Sequence, residues 1–161
     1  MKTITETVEI AARPEAVFSY ADDIRNIGWH MTESSMPLMG SKLNVQIVSK
    51  NPTGLGASYR WYGKVMGLTI DFTETVTKWV RNKERVWSTI GEPQIIIIGN
   101  YEMWFNLEPA GAQTRLTFGI RYDLPRPLFW RLVGFLLGGP YSRWCLKNMC
   151  GDAKKALEAK K

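Results

Sequence analysis

Residues 57–79, ASYRWYGKVMGLTIDFTETVTKW, decide the fold. Between Ser58 and Val65 the odd positions Tyr59, Trp61 and Val65 are apolar or aromatic, while Ser58, Arg60 and Lys64 are polar and Tyr62 is an outward exception. After Gly67 the even positions take over, so that Ile70, Phe72, Glu74 and Val76 share one side against Thr69, Asp71, Thr73 and Thr75. A period of two marks strands with one face turned inward, and glycine marks the turn between them.

The same period extends outward from this hairpin in both directions. It predicts strands near Leu43 to Val48, Ala57 to Val65, Leu68 to Trp79, Val86 to Ile90, Ile95 to Leu107 and Thr114 to Leu124. The turns fall at Asn51-Pro52-Thr53-Gly54, Arg81-Asn82-Lys83, Gly91-Glu92-Pro93 and Pro109-Ala110-Gly111-Ala112. Ahead of this meander, Thr3 to Ala11 alternates with Ile4, Val8 and Ile10 on one side, interrupted by Glu6, which makes a seventh strand. Arg13-Pro14-Glu15 then opens one or two short helices running to about Trp29, followed by a loop from Gly28 to Gly40. Beyond Pro125-Arg126-Pro127 helical spacing returns, with Tyr141, Trp144, Cys145, Met149, Ala153 and Leu157 on one face. Gly138-Gly139-Pro140 should kink or break this helix.

The order β-α-α-β6-α gives an α+β fold: a curved antiparallel sheet of seven strands around a long C-terminal helix, with two short helices after the first strand. A rod about 10 Å wide laid along a twisted, concave sheet meets the rim before the floor, so space is left between them. Parity supplies the candidate lining: Tyr59, Trp61, Ile70, Phe72, Glu74, Tyr101, Met103, Phe105, Phe118, Ile120 and Tyr122 from the strands, with Tyr141 and Cys145 from the helix. For any one of these, plain core packing is the default. The case for a cavity rests on the architecture.

Composition sets the outer limits. The 161 residues, 45% apolar and 22% charged, suit one globular domain spanning 1–161, and seven Trp, six Tyr and six Phe supply rigid apolar surface. The charge of +6 is scattered with no basic run beyond two residues, which argues against nucleic acid. Lys154, Lys155, Lys160 and Lys161 suit the negative end of a helix. Cys145 and Cys150, five apart on a helix, are expected as reduced, buried thiols on different faces. Neither a signal peptide nor a span of about 20 apolar residues is present, so a cytoplasmic location is expected.

The stretch Val8-Glu9-Ile10-Ala11-Ala12-Arg13-Pro14-Glu15-Ala16-Val17-Phe18 resembles the opening of the START-like (SRPBCC) helix-grip proteins. Leu107-Glu108-Pro109-Ala110-Gly111-Ala112-Gln113-Thr114-Arg115-Leu116-Thr117 is similar to the strand-turn-strand of their polyketide cyclase/dehydrase and lipid-transport branch, and Val76-Thr77-Lys78-Trp79 to its strand-ending tetrapeptide. The paired prolines that often follow that tetrapeptide are replaced by Val80-Arg81-Asn82. The resemblance spans nearly the whole chain and implies a hydrophobic pocket for lipids, polyketides, sterols or other apolar ligands. It implies no single activity, because the scaffold serves carriers, cyclases, hydrolases and chaperone activators.

Three features bear on chemistry. His30, the sole histidine, follows Trp29 at an expected helix end, where a structural role ranks ahead of a pocket acid or base. No nucleotide motif or metal-ligand spacing is present, so neither cofactor nor metal is expected. Glu74 places a carboxylate on the apolar face, where burial would raise its pKa and Tyr59 or Tyr101 could orient it as an acid or base. A bulge turning it outward, or a structural hydrogen bond, ranks ahead of that role.

Finally, Leu128, Phe129, Trp130, Leu132, Val133, Phe135, Leu136 and Leu137 are too many apolar residues for one helix face. We rank a lid over the pocket mouth first, a homodimer interface second and contact with a membrane surface third. The leading function is binding or transport of a small hydrophobic ligand. A cyclase or dehydratase using the same pocket comes second, and a protein-interaction module third.

Overall fold

The structure is a computed structural model that describes residues 1–27, 42–65 and 67–159. The expected loop from Gly28 to Gly40, with Trp29 and His30, lies outside the described residues, as do Lys160 and Lys161. The elements run β1 (Lys2–Ile10), α1 (Pro14–Asp22), α2 (Ile24–Ile27), β2 (Lys42–Ile47), β3 (Ser58–Val65), β4 (Leu68–Val80), β5 (Glu84–Gln94), β6 (Tyr101–Ala110), β7 (Gln113–Tyr122) and α3 (Leu128–Glu158).

All seven strands join one antiparallel sheet in the order β1-β7-β6-β5-β4-β3-β2. Alternation fixes which face is inward: Tyr59, Trp61, Ile70, Phe72, Glu74 and Val76 are buried, as are Tyr101, Phe105, Leu107, Leu116, Phe118, Ile120 and Tyr122. Pro14 opens α1 with Glu15 in its first turn, and the helix buries Val17, Phe18 and Ala21. Phe18 meets Trp79 and Phe105 edge-on at centroid distances of 5.5 and 5.6 Å, and Phe105 continues the contact to Trp87 and Phe118.

Two sequence expectations fail here. Gly91-Glu92-Pro93 is no turn, because β5 runs on to Gln94. Thr73 pairs with Ile90 and Asp71 with Gln94, so two extra residues of β5 are absorbed as a bulge, with Gly91 at φ +70° supplying the left-handed backbone. The expected strand from Ile95 therefore starts only at Tyr101, and Ile95 to Ile98 lie outside any strand. The second concerns the kink or break expected at Gly138-Gly139-Pro140: the helix does not break there, since α3 runs from Leu128 to Glu158 with Pro140 inside it. The glycines serve close approach instead. A Cβ on Gly138 would lie 3.1 Å from Tyr122 Oη, and one on Gly139 would lie 2.6 Å from Lys2 Nζ.

The helix rests on β1 and β7, at one side of the sheet. That off-centre seat, with α1 covering only the Trp79 and Phe105 end, leaves open space over Trp61, Phe72 and Tyr101.

Candidate functional site

A cavity of about 670 Å³ occupies this space. Its floor is Trp61, Phe72, Glu74, Tyr101, Met103 and Ile120 from the sheet, with Ile70 and Val65 beside them. Its roof is Tyr141, Cys145 and Met149 from α3, and Ile24 and Ile27 of α2 close one side. The rim is Leu68, Ile95 to Ile98, Trp130, Val133 and Leu137.

Nine of the thirteen sequence candidates thus meet around one space: Trp61, Ile70, Phe72, Glu74, Tyr101, Met103, Ile120, Tyr141 and Cys145. The other four, Tyr59, Phe105, Phe118 and Tyr122, are buried outside its lining. Phe105 and Phe118 pack on each other at 5.8 Å, and Tyr59 donates from its hydroxyl to the Pro52 carbonyl at 2.5 Å. Tyr59 therefore does not orient Glu74.

Tyr101 does. Glu74 is 2% exposed; its Oε1 accepts from Trp61 Nε1 at 2.9 Å and its Oε2 from Tyr101 Oη at 2.5 Å. Burial pushes the Glu74 carboxyl above the usual carboxylate range, against the pull of both hydrogen bonds and of the nearby Arg85 charge. Burial also drives the Tyr101 phenol well above its ordinary value, and the Glu74 charge adds to this. Across the cavity, burial lifts the Tyr141 phenol, with Cys145 adding to it, and pushes the Cys145 thiol up to about 12. A thiol so placed is not ionised at neutral pH and is no nucleophile. The site combines apolar walls with one carboxyl-phenol pair that can donate and accept hydrogen bonds.

Behind the floor lies a buried cation that parity could have exposed, but the expected strand begins one residue after it, at Val86. Arg85 is fully buried on β5, on the same side as Trp87. Its Nη1 donates to the Asp22 carbonyl at 2.8 Å and lies 3.5 Å from Asp22 Oδ1, while its guanidinium sits over Trp87 at 4.7 Å and Tyr59 at 5.6 Å. The lining residues missed from sequence include Ile95 to Ile98, read as strand, Ile24 and Ile27, read only as helix, and Leu43, Val65, Trp87, Leu146 and Met149, read as plain core positions or not singled out. Four isoleucines in succession could have signalled a segment packed on apolar surface without strand alternation. Among the described residues no three His, Cys, Asp or Glu side chains gather as a metal site.

A sequence model of polyketide cyclase/dehydrase and lipid transport proteins matches residues 1–149. The chain belongs to this family. Solved structures carry the same helix-grip fold at low identity. A conserved protein from Geobacillus kaustophilus superposes with a TM-score of 0.72 at 13% identity, covering 97% of this chain and 95% of that one. The Zhui aromatase/cyclase from a Streptomyces strain gives 0.67 at 15%, over 96% and 94%. A START superfamily protein from Mycobacterium smegmatis gives 0.63 at 19%, over 99% of both. At such identities they establish the fold that this polyketide cyclase/dehydrase and lipid transport family member shares. No curated protein matches the sequence.

Proposed function

We propose that this protein binds, and carries or presents, a small neutral apolar molecule in the cavity between sheet and α3. The observation that supports it best is a cavity of about 670 Å³ with apolar walls around a single cluster of polar groups. That volume falls inside the range of roughly 300–1,000 Å³ typical of pockets that enclose small ligands. Each 100 Å² of ligand apolar surface removed from water contributes about 2.5 kcal/mol, and the Glu74–Tyr101 pair would fix one hydroxyl or carbonyl of the guest. A formally anionic group there would meet a carboxyl that burial already keeps from ionising readily.

Native mass spectrometry of the purified protein, followed by organic extraction, tests this reading. The expected result is one noncovalent adduct released by solvent. Only the bare chain mass, together with tryptophan emission that does not respond to Nile red, would refute it.

A second reading, a cyclase or dehydratase, is favoured by one observation: an acid with raised pKa within hydrogen-bond reach of a phenol at the cavity wall. Incubating the extracted guest with fresh protein separates the two. A carrier returns it unchanged, whereas a dehydratase returns it lighter by one water, and Glu74→Gln would then slow that loss.

A further inference from the structure

The cavity-facing side of α3 uses only part of its apolar surface. Trp130, Val133 and Leu137 line the rim, yet Leu128, Phe129, Leu132, Phe135 and Leu136 remain between 61% and 85% exposed. At 3.6 residues per turn these five fall within an arc of about 120°, so they form one continuous stripe. Being lid to the cavity therefore accounts for only some of these residues.

Charge decides what fits the stripe. From Leu124 to Gly151 the chain carries Arg126, Arg131, Arg143 and Lys147 and no acidic residue. Arg131 flanks the stripe and Arg143 continues its line two turns on; both are exposed, and neither has an ion-pair partner among the described residues. Arg126 at the helix start makes only a 3.4 Å contact with Glu92, both side chains being 87% exposed. A second copy meeting this face about a twofold axis would set arginines against arginines with no carboxylate between them. A surface of anionic phosphates above acyl chains matches both halves of the pattern, basic rim and apolar centre.

We propose that α3 docks this protein on an anionic lipid surface through Leu128, Phe129, Leu132, Phe135 and Leu136, with Arg131 and Arg143 against the headgroups. No helix among the described residues is long and apolar enough to cross a membrane, so α3 lies along the surface. The docked face is the outer side of the helix turns whose inner side rims the cavity. At Gly134 the backbone approaches the Ile95–Ile98 segment so closely that a Cβ would meet the Ile97 carbonyl oxygen at 2.3 Å. Seating the stripe in lipid thus brings the rim to the bilayer surface. The docking itself rests on surface residues alone and stands whether or not the cavity holds a guest.

The test is co-sedimentation of the full chain with vesicles of phosphatidylcholine alone or mixed equally with phosphatidylglycerol. Docking predicts binding to the mixed vesicles that weakens as salt rises. The double variant Leu132→Glu/Phe135→Glu and the double variant Arg131→Glu/Arg143→Glu should each lower the partition by about ten-fold or more, with far-ultraviolet circular dichroism unchanged. No binding to mixed vesicles, or binding that both double variants leave intact, overturns the proposal. So does light scattering that shows a dimer which Leu132→Glu/Phe135→Glu splits into monomers.

Discussion

Asp22 and Asp23 are adjacent carboxylates at the end of α1, and the structure predicts opposite consequences for neutralising them. Asp22 faces Arg85, whose side chain is wholly buried while that of Asp22 keeps 12% exposure. Arg85 Nε and Nη2 have no hydrogen-bond partner, and Asp22 is the carboxylate in ion-pair contact with this charge. Removing one member of a buried ion pair costs about 3–5 kcal/mol. Three features reduce that figure here: the Oδ1 contact is long at 3.5 Å, the 2.8 Å bond to the Asp22 backbone survives, and the guanidinium keeps its two aromatic faces. Asp22→Asn should therefore destabilise by about 2–3 kcal/mol, lowering a urea midpoint by about 1–1.5 M for a slope near 2 kcal/mol per M. Asp23→Asn is the control. Asp23 pairs with exposed Arg25, and its Oδ1 accepts the Arg25 N–H at 2.9 Å, a cap that asparagine can also make, so its midpoint should match the parent. Arg85→Met removes the buried charge with its orphaned donors and should cost less than Asp22→Asn. Equal midpoints for the two asparagine variants would refute the reasoning.

Three further outcomes follow from the cavity and its rim. Because burial raises the Glu74 pKa above its unfolded value, the folded state holds that proton more tightly and stability falls as pH climbs from about 4.5 through the folded value. Glu74→Gln should flatten this decline in melting temperature against pH; parallel curves for variant and parent would contradict it. Cys145→Trp projects into the void, so it should abolish the native-mass adduct while changing stability by about 1 kcal/mol or less, and an adduct that persists argues against this cavity as the site. Gly134→Val must push α3 from the Ile97 carbonyl and should destabilise by about 1–3 kcal/mol in the same urea assay, whereas an unchanged midpoint would mean that the contact is slack.

The sequence carried the strands because burial on one face leaves a period that survives in the residue order, as in Tyr59, Trp61, Ile70 and Phe72. It carried Glu74 for the same reason, since one carboxylate stands out on an apolar face. Ile95 to Ile98 were misread because an apolar run with no alternation fits a buried strand and an enclosed irregular segment equally well. Gly91 was misread because positive φ serves a bulge as readily as a turn. Arg85 was passed over because the expected strand starts at Val86, although its parity with Trp87 puts it inside. The close approach that Gly138 and Gly139 serve involves Tyr122 and Lys2, which lie outside the helix and leave no mark on its own sequence.

The seat of α3 on β1 and β7 also orders events during synthesis. β1 pairs with β7 across more than a hundred residues, as Thr7 does with Thr117, so the first strand made waits for the seventh. Such long-range pairing is slow to form. Until α3 follows, the bowl of β3 to β6 stands open with its aromatic floor facing water. The cavity therefore gains its roof from the last element of the described chain to be made.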